Sequence, residues 1–283
     1  MISPAKLLKA LNLQPRKHLG QNFLSDPSTA EMIAARSDIS AEDVVLEIGA
    51  GLGALTVPVA RLAKKVYTVE KDPRIIPILK NELLTHNIHN VNLLGKSILD
   101  VDIKELGEKE GCKIVVIGNL PYNISSQVLV QIIKSRNVID RAIFMFQKEF
   151  AERLTANPGC KDYGRLSVML AYCADIKKIA EVKAHLFFPK PKIDSQIIEI
   201  KFKESLEYSA KDESFFFKVI KAAFGKRRKT LKNALAGSEL HIDAEIALKV
   251  LDAADIDPAR RAETLSLPEF VRLSNSFENS IAV

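Results

Sequence analysis

Short, continuously apolar runs separated by stretches of helical periodicity constrain this chain more than any other feature. Residues 44–48 (VVLEI), 65–70 (KVYTVE), 91–94, 114–117 (IVVI) and 142–146 (AIFMF) read as strands, with helical patterns between them such as 74–84 and 126–134. Strands apolar on both faces belong in a mainly parallel sheet covered by helices on both sides. Residues 195–202 (SQIIEIKF) alternate instead, which predicts an antiparallel strand at the sheet's edge. Asp26-Pro27 marks a helix start, because the carboxylate caps orphan N–H groups and proline suits the first helical position. Beyond a polar linker at 203–214 the pattern becomes wholly helical: 215–224, 228–235, 244–253 and 268–274. Asp257-Pro258 repeats the cap-then-proline start, and Ser266 with Glu269 has capping-box spacing. The expectation is an α/β domain over 1–202 and a small all-helical domain over 203–283, with a frayed tail at 275–283.

Composition narrows the function classes. With 47% apolar and 27% charged residues, the chain is an ordinary globular sequence, neither disordered nor collagenous. No apolar run approaches the ~18 residues that span a bilayer, and the first twenty residues do not read as a secretory signal. Cys112, Cys160 and Cys173 are odd in number and without metal-ligand spacing, which predicts a reducing, cytoplasmic setting and no metal. Forty-one Lys and Arg against 35 acids give +6, pointing to an anionic partner, most commonly nucleic acid. The excess concentrates in Lys218, Lys221, Lys226, Arg227, Arg228, Lys229 and Lys232, a stretch without an acid. Lys226 to Lys229 are the candidate RNA-phosphate contacts, with Phe224 and Leu231 anchoring the segment; a solvated helical face is the alternative. Lys6, Lys9, Arg16 and Lys17 form a second basic stretch.

The first predicted strand runs into Glu47-Ile48-Gly49-Ala50-Gly51-Leu52-Gly53. Glycines there permit a tight turn and close approach of backbone to a ligand. The loop alone is ambiguous. Gly49, Gly51 and Ala54 satisfy a dinucleotide pattern, whereas Gly49, Gly51 and Gly53 with Glu47 satisfy the loop of S-adenosylmethionine-dependent methyltransferases. A turn with no ligand is the plain alternative. Glu70, at the end of the second strand, is placed to accept the ribose hydroxyls of an adenosine cofactor of either kind.

Asn119-Leu120-Pro121-Tyr122 follows the fourth strand, at the ligand-facing end of an open parallel sheet. An exocyclic adenine amine is a poor nucleophile, because its lone pair is delocalised into the ring. The Asn119 amide oxygen and the Leu120 carbonyl can accept its two hydrogens and help the nitrogen pyramidalise; Pro121 keeps Leu120 extended. Tyr122 offers a flat face for a base. The alternative is a capped loop with Tyr122 in the core. Phe187, in the proline-stiffened run FFPKPKIDS, is a second stacking candidate, and ordinary core packing is its alternative.

These residues resemble the KsgA-type ribosomal RNA small-subunit adenine dimethyltransferases. The likeness covers nearly the whole chain: GQNFL from Gly20, EIGAGLGALT from Glu47, NLPYNIS from Asn119, QKE from Gln147, YGRLS from Tyr163, FFPKPKIDS from Phe187, RRKTLKNAL from Arg227, and Asp257-Pro258 with Arg261-Ala262-Glu263. It implies a class I, Rossmann-like methyltransferase domain and a helical RNA-contacting domain. It further implies transfer of two methyl groups to each of two adjacent adenosines in the 3′-terminal hairpin of 16S rRNA, and a role in late small-subunit assembly. The protein is then a monomer that uses S-adenosylmethionine, releases S-adenosylhomocysteine and meets 16S rRNA in the immature 30S subunit, with no membrane. Asn22, Leu24, Gly49, Gly51, Glu70, Ser97 and Asn119 correspond to cofactor contacts, and Asn119, Leu120, Tyr122 and Phe187 to the residues holding the target adenine. Ser97 departs from the family, which usually carries an aspartate there. A serine oxygen still accepts a hydrogen bond, without the charge assistance that roughly doubles its strength; Asp100 and Asp102 lie close enough in sequence to compensate. A 23S rRNA adenine methyltransferase and a non-catalytic RNA-binding assembly or transcription factor on the same fold are the competing readings. A nicotinamide dehydrogenase fits the glycine loop alone.

Overall fold

A computed structural model describes residues 3–281. The first part of the chain comprises α1 (Pro4–Ala10), β1 (Phe23–Leu24), α2 (Pro27–Arg36), β2 (Val44–Ile48), α3 (Thr56–Leu62), β3 (Lys65–Val69), α4 (Ile76–Thr85), β4 (Val91–Leu94), α5 (Ile103–Glu110), β5 (Ile114–Asn119), α6 (Ser125–Lys134) and β6 (Ile139–Gln147). Then come α7 (Lys148–Leu154), α8 (Arg165–Cys173), β7 (Ala174–Val182), β8 (Phe187–Phe188), β9 (Ser195–Phe202), α9 (Glu213–Phe224), α10 (Leu231–Ala236), α11 (Ala244–Ala253) and α12 (Leu267–Ile281). Asp26 caps α2 as its position predicts, accepting from the Thr29 N–H at 2.9 Å.

Seven strands form one sheet in the order β4-β3-β2-β5-β6-β9-β7. The pairs β3–β4, β2–β3, β2–β5 and β5–β6 are parallel, and β6–β9 is antiparallel with Gln147 opposite Ser195. Val45, Leu46, Val115 and Val116 at its centre have no exposed surface, so this α/β sheet is covered on both faces by helices. The β9 strand is antiparallel as expected but is not the edge, because β7 lies outside it. ADIKKIAEV hides that strand: an edge strand is half exposed, and Lys177 and Lys178 on it discourage a further strand from pairing.

The chain divides into two compact units, 1–151 with 176–202, and 152–175 with 203–283. The boundary expected at 202 is therefore amended: 152–175 lies within the expected first domain by sequence, yet packs with the C-terminal helices. Tyr172 on α8 explains this. It is 2% exposed, with its ring 4.6 Å from Phe216 and 5.9 Å from Phe217 on α9. In this helical unit Glu269 accepts from the Ser266 N–H at 2.7 Å, as the capping-box spacing predicts. Asp257-Pro258 opens a turn rather than a helix, with the Ala259 N–H donating to Asp257 Oδ1 at 2.8 Å. The helix expected from 228 begins only at Leu231, whose N–H donates to the Arg260 carbonyl at 2.7 Å. The tail expected to fray continues α12 to Ile281; residues 282–283 lie outside the described chain.

Candidate active site and basic turn

The order of pairing reverses at β2, with β3 and β4 to one side and β5 and β6 to the other. Loops leaving such neighbours diverge and open a crevice at the carboxyl ends of the strands. Gly118 lies opposite Ile48 across the β2–β5 pair, and a Cβ on it would stand 2.5 Å from the Ile48 carbonyl oxygen. Glycine at 118 thus lets the two functional loops leave the sheet side by side.

Gly49 and Gly51 take left-handed φ values of 79° and 54°. The Gly49 and Ala50 N–H groups donate to the Val69 carbonyl at 2.9 and 3.2 Å, which folds the loop over the end of β3. Glu70 stands there, 7% exposed. Its Oε2 accepts from the Gly51 N–H at 2.9 Å and its Oε1 from the Asp72 N–H at 2.7 Å. Burial pushes the carboxyl above its ordinary pKa, opposed by these two N–H groups. Each oxygen keeps a further lone pair for a ligand. Beneath, Glu47 is 1% exposed, accepts from the Thr68 hydroxyl at 2.5 Å, and is pushed up to about 7 by burial.

Asn119 ends β5. Its Nδ2 donates to the Asn22 carbonyl at 3.0 Å, so the carboxamide presents Oδ1 as an acceptor. The Leu120 side chain is buried, and its N–H donates to the Met145 carbonyl at 3.3 Å. The Pro121 carbonyl accepts from the Ile124 N–H at 3.1 Å and the Ser125 hydroxyl at 3.0 Å, closing the loop into a turn.

Asn22, Gly49, Gly51, Glu70, Ser97 and Asn119 line one pocket of about 160 Å³. Leu24 does not; it is buried in β1 and lines a smaller pocket that shares Gly49, Gly51 and Asn119. Ser97 caps the turn at Ile98–Asp100, accepting from the Leu99 N–H at 3.3 Å. Neither Asp100 nor Asp102, the acids close to Ser97 in sequence, lines this pocket, and Asp102 caps α5 through the N–H groups of Lys104 and Glu105, both at 3.0 Å. Tyr122 lines a separate groove with Phe188, which shares Gly20, Gln21 and Asn22 with the pocket. Phe187, the stacking candidate of the sequence, is 3% exposed and sits in the core, whereas its neighbour Phe188 lines the groove. Antiparallel pairing of β1 with β8, Phe23 opposite Phe188 and Leu24 opposite Phe187, sends the neighbouring rings to opposite sides.

Sequence reading missed the fastening of residues 16–24, which form a strap along the pocket. Gln21 Nε2 donates to Asp72 Oδ2 at 3.0 Å, and Asn123 Nδ2 donates to the His18 carbonyl at 3.1 Å. The only signal was GQNFL itself, which names the segment and none of its partners.

In the helical unit, Lys226, Arg227, Arg228 and Lys229 occupy an exposed turn between α9 and α10. A turn frees them from the helical spacing that would scatter the charges around an axis. Phe224 stacks on Phe270 at 5.7 Å and Leu231 is fully buried, anchoring the turn on both sides. Among the described residues, no cluster of His, Cys, Asp or Glu could hold a metal ion, and no helix is long and apolar enough to cross a membrane.

The family model "Ribosomal RNA adenine dimethylase" matches residues 12–273. A "Ribosomal RNA small subunit methyltransferase A" from Desulforapulum autotrophicum is 56% identical over 276 residues, 98% of this chain and 96% of the relative. One of the same name from Clostridium botulinum is 42% identical over 260 residues, 92% of each chain. Among solved structures, a dimethyladenosine transferase from Plasmodium falciparum is similar at a TM-score of 0.74 and 30% identity, covering 91% of this chain and 98% of that one. The 23S rRNA methyltransferase ErmE, at a TM-score of 0.62 and 23% identity over 90% of this chain and 99% of that one, shares the fold. With a family match over most of its length and relatives above 40% identity end to end, the chain belongs to the ribosomal RNA adenine dimethylase family.

Proposed function

We propose that this protein transfers methyl groups from S-adenosylmethionine to N6 of two adjacent adenosines in the 3′-terminal hairpin of 16S rRNA, acting as a monomer on the immature small subunit. The observation that carries this reading is the fixed Asn119 carboxamide, an acceptor held beside a pocket that suits an adenosine cofactor. The pocket's residues fit that cofactor. Glu70 has spare lone pairs for two adjacent ribose hydroxyls, Gly49 and Gly51 leave a floor without side chains, and Ser97 offers a hydroxyl toward an adenine amine. When bound, S-adenosylmethionine supplies a methyl group on sulfonium, which moves to the nucleophile as its bond to sulfur breaks.

The chain's own residues prepare the nucleophile. Asn119 Oδ1 accepts an N–H of the target amine, and the Leu120 carbonyl takes the second, so that nitrogen becomes pyramidal and its lone pair localises. Tyr122 gives the unstacked base an aromatic wall, worth ~1–3 kcal/mol. No strong general base is required, because the methylated amine is an acidic cation that loses its proton to water. Lys226 to Lys229 contact phosphates without reading sequence, leaving specificity to RNA shape and unstacked bases. Relatives named for the small subunit, at 56% and 42% identity, favour 16S over 23S rRNA.

The test is incubation with radiolabelled S-adenosylmethionine and immature 30S particles, followed by mapping of labelled nucleotides. Label on two adjacent adenosines of the 3′-terminal hairpin is expected; label elsewhere, or none, overturns the reading.

A further inference from the structure

Asp72 has no part in the chemistry described above, yet it is the most heavily engaged carboxylate near the pocket. It has no exposed surface. Arg74 donates to it through Nε at 2.9 Å and through a terminal nitrogen at 2.6 Å, and Gln21 Nε2 donates at 3.0 Å. The Arg16 guanidinium stands 3.8 Å away, and the Arg16 N–H donates to Gln21 Oε1 at 2.7 Å. The Arg74 hydrogen bonds hold this carboxyl down to about pKa 2, so it stays ionised.

The next residue after Gln21 is Asn22, whose carbonyl receives Asn119 Nδ2. The same strap reaches two further parts of the site. Gly20 lies where a Cβ would stand 3.0 Å from Pro121 Cβ, and Phe23 packs 3.1 Å from where a Gly51 Cβ would be. A carboxamide turned by half a rotation would present N–H groups to an amine and repel it. Which face Asn119 shows therefore depends on where the Asn22 carbonyl is held.

We propose that Asp72 is a positioning residue for methyl transfer: through Gln21 it fixes the Asn22 carbonyl, and that carbonyl keeps Asn119 Oδ1 turned toward the target amine. This rests on Asn119 being the amine acceptor. Asp72 lines neither the cofactor pocket nor the groove beside Tyr122. Its backbone N–H supports ionised Glu70, while its charge nearby opposes that ionisation. Loss of its carboxylate therefore loosens the strap and leaves the cofactor's carboxylate partner in place.

The experiment is a mutant cycle in the full-length protein, read by single-turnover methyl transfer to saturating immature 30S particles. Asp72→Asn is expected to slow transfer about tenfold, as small misplacements of a reacting geometry do. S-adenosylmethionine affinity by calorimetry and particle affinity are expected to stay within about twofold. In an Asn119→Ala background, Asp72→Asn is expected to change the rate less than about twofold, because the group it positions is gone. Gln21→Glu sets a carboxylate against Asp72 and is also expected to slow transfer. The double variant Gln21→Glu/Asp72→Asn restores a donor facing an acceptor with reversed polarity, and is expected to be faster than either single variant.

The proposal is overturned by a wild-type rate for Asp72→Asn, by full multiplication of the Asp72→Asn and Asn119→Ala penalties, by a double variant slower than both singles, or by a loss of cofactor affinity in Asp72→Asn as large as its loss of rate. A wild-type rate for Asn119→Ala would remove the amine-acceptor reading and this proposal with it, whereas a slow Asn119→Ala beside a wild-type Asp72→Asn removes this proposal alone. Should Asp72→Asn not fold, Gln21→Glu, which leaves Asp72 paired with Arg74, carries the same cycle.

Discussion

Glu70 is a carboxylate kept between two demands. Burial disfavours its charge, and the N–H groups of Gly51 and Asp72 restore it. Glu70→Ala would leave these two donors and two ribose hydroxyls without an acceptor. Hydrogen bonds to a charged group are worth ~1.5–3 kcal/mol, so S-adenosylmethionine is expected to bind roughly 10–100-fold more weakly. Calorimetry checks this, and unchanged affinity would remove Glu70 from the cofactor site. Ser97 poses the opposite case, a neutral hydroxyl rather than a carboxylate in the lining of the same pocket. Its hydroxyl already accepts from the Leu99 N–H, and neither Asp100 nor Asp102 lines the pocket. Ser97→Asp is accordingly expected to tighten cofactor binding and Ser97→Ala to loosen it modestly. If neither substitution changes the dissociation constant, the adenine amine finds its partner elsewhere.

At the scale of strands, β1 pairs with β8 over only two residue pairs, yet this decides which phenylalanine meets the groove. Phe187→Ala would open a cavity in the core and is expected to cost about 3–5 kcal/mol of stability. Phe188→Ala, on the partly exposed side, should cost far less; equal denaturant midpoints for the two variants would contradict the register. The β2 strand carries a second consequence, through buried Glu47. Its folded pKa of about 7 lies above the ordinary 4.5, so the folded state binds more protons between these values. The contribution of Glu47 to stability is fully present below about pH 4.5 and is lost as pH rises through about 7. Glu47→Gln is expected to flatten that decline, measured by denaturant titration across the range. Much of this architecture was legible because its signals are local: apolar runs for β2 to β5, glycines between β2 and α3, and proline beside Asn119. Edge strand β7 was hidden because its lysines and exposed face leave little apolar pattern. The link from Gln21 to Asp72 was hidden because 51 residues separate them and neither residue type announces a partner. The helix expected from Arg228 instead begins at Leu231, whose N–H is held by the Arg260 carbonyl, so that Arg228 and Lys229 join Lys226 and Arg227 in the turn.

Across the whole molecule, a net charge of +6 is modest, and its distribution matters more than its size. Some of the charge is held in ion pairs, such as Lys221 with Glu239 and Arg260 with Glu269. The turn at 226–229 instead exposes consecutive cations, of which Arg227 also donates to the Lys161 carbonyl at 2.5 Å. Its flanks are tied down by the Phe224–Phe270 stack and by buried Leu231, so presenting the charges to RNA costs little further ordering. Replacing Arg227, Arg228 and Lys229 together by glutamate should therefore abolish binding to immature 30S particles. S-adenosylmethionine affinity should be preserved, since none of the three lines the cofactor pocket. The thermal midpoint should also move little, because all three side chains are exposed. Salt supplies an independent reading. Each phosphate contact releases counterions and adds ~0.7–0.9 to the slope of log affinity against log salt concentration. The wild-type protein should thus lose particle affinity steeply as salt rises. Neutralising the three residues to glutamine should reduce that slope by about 2–3 if each meets a phosphate. A wild-type slope near zero, or an unchanged slope in the glutamine variant, would show that RNA is held by another face, and that this turn is only a solvated one.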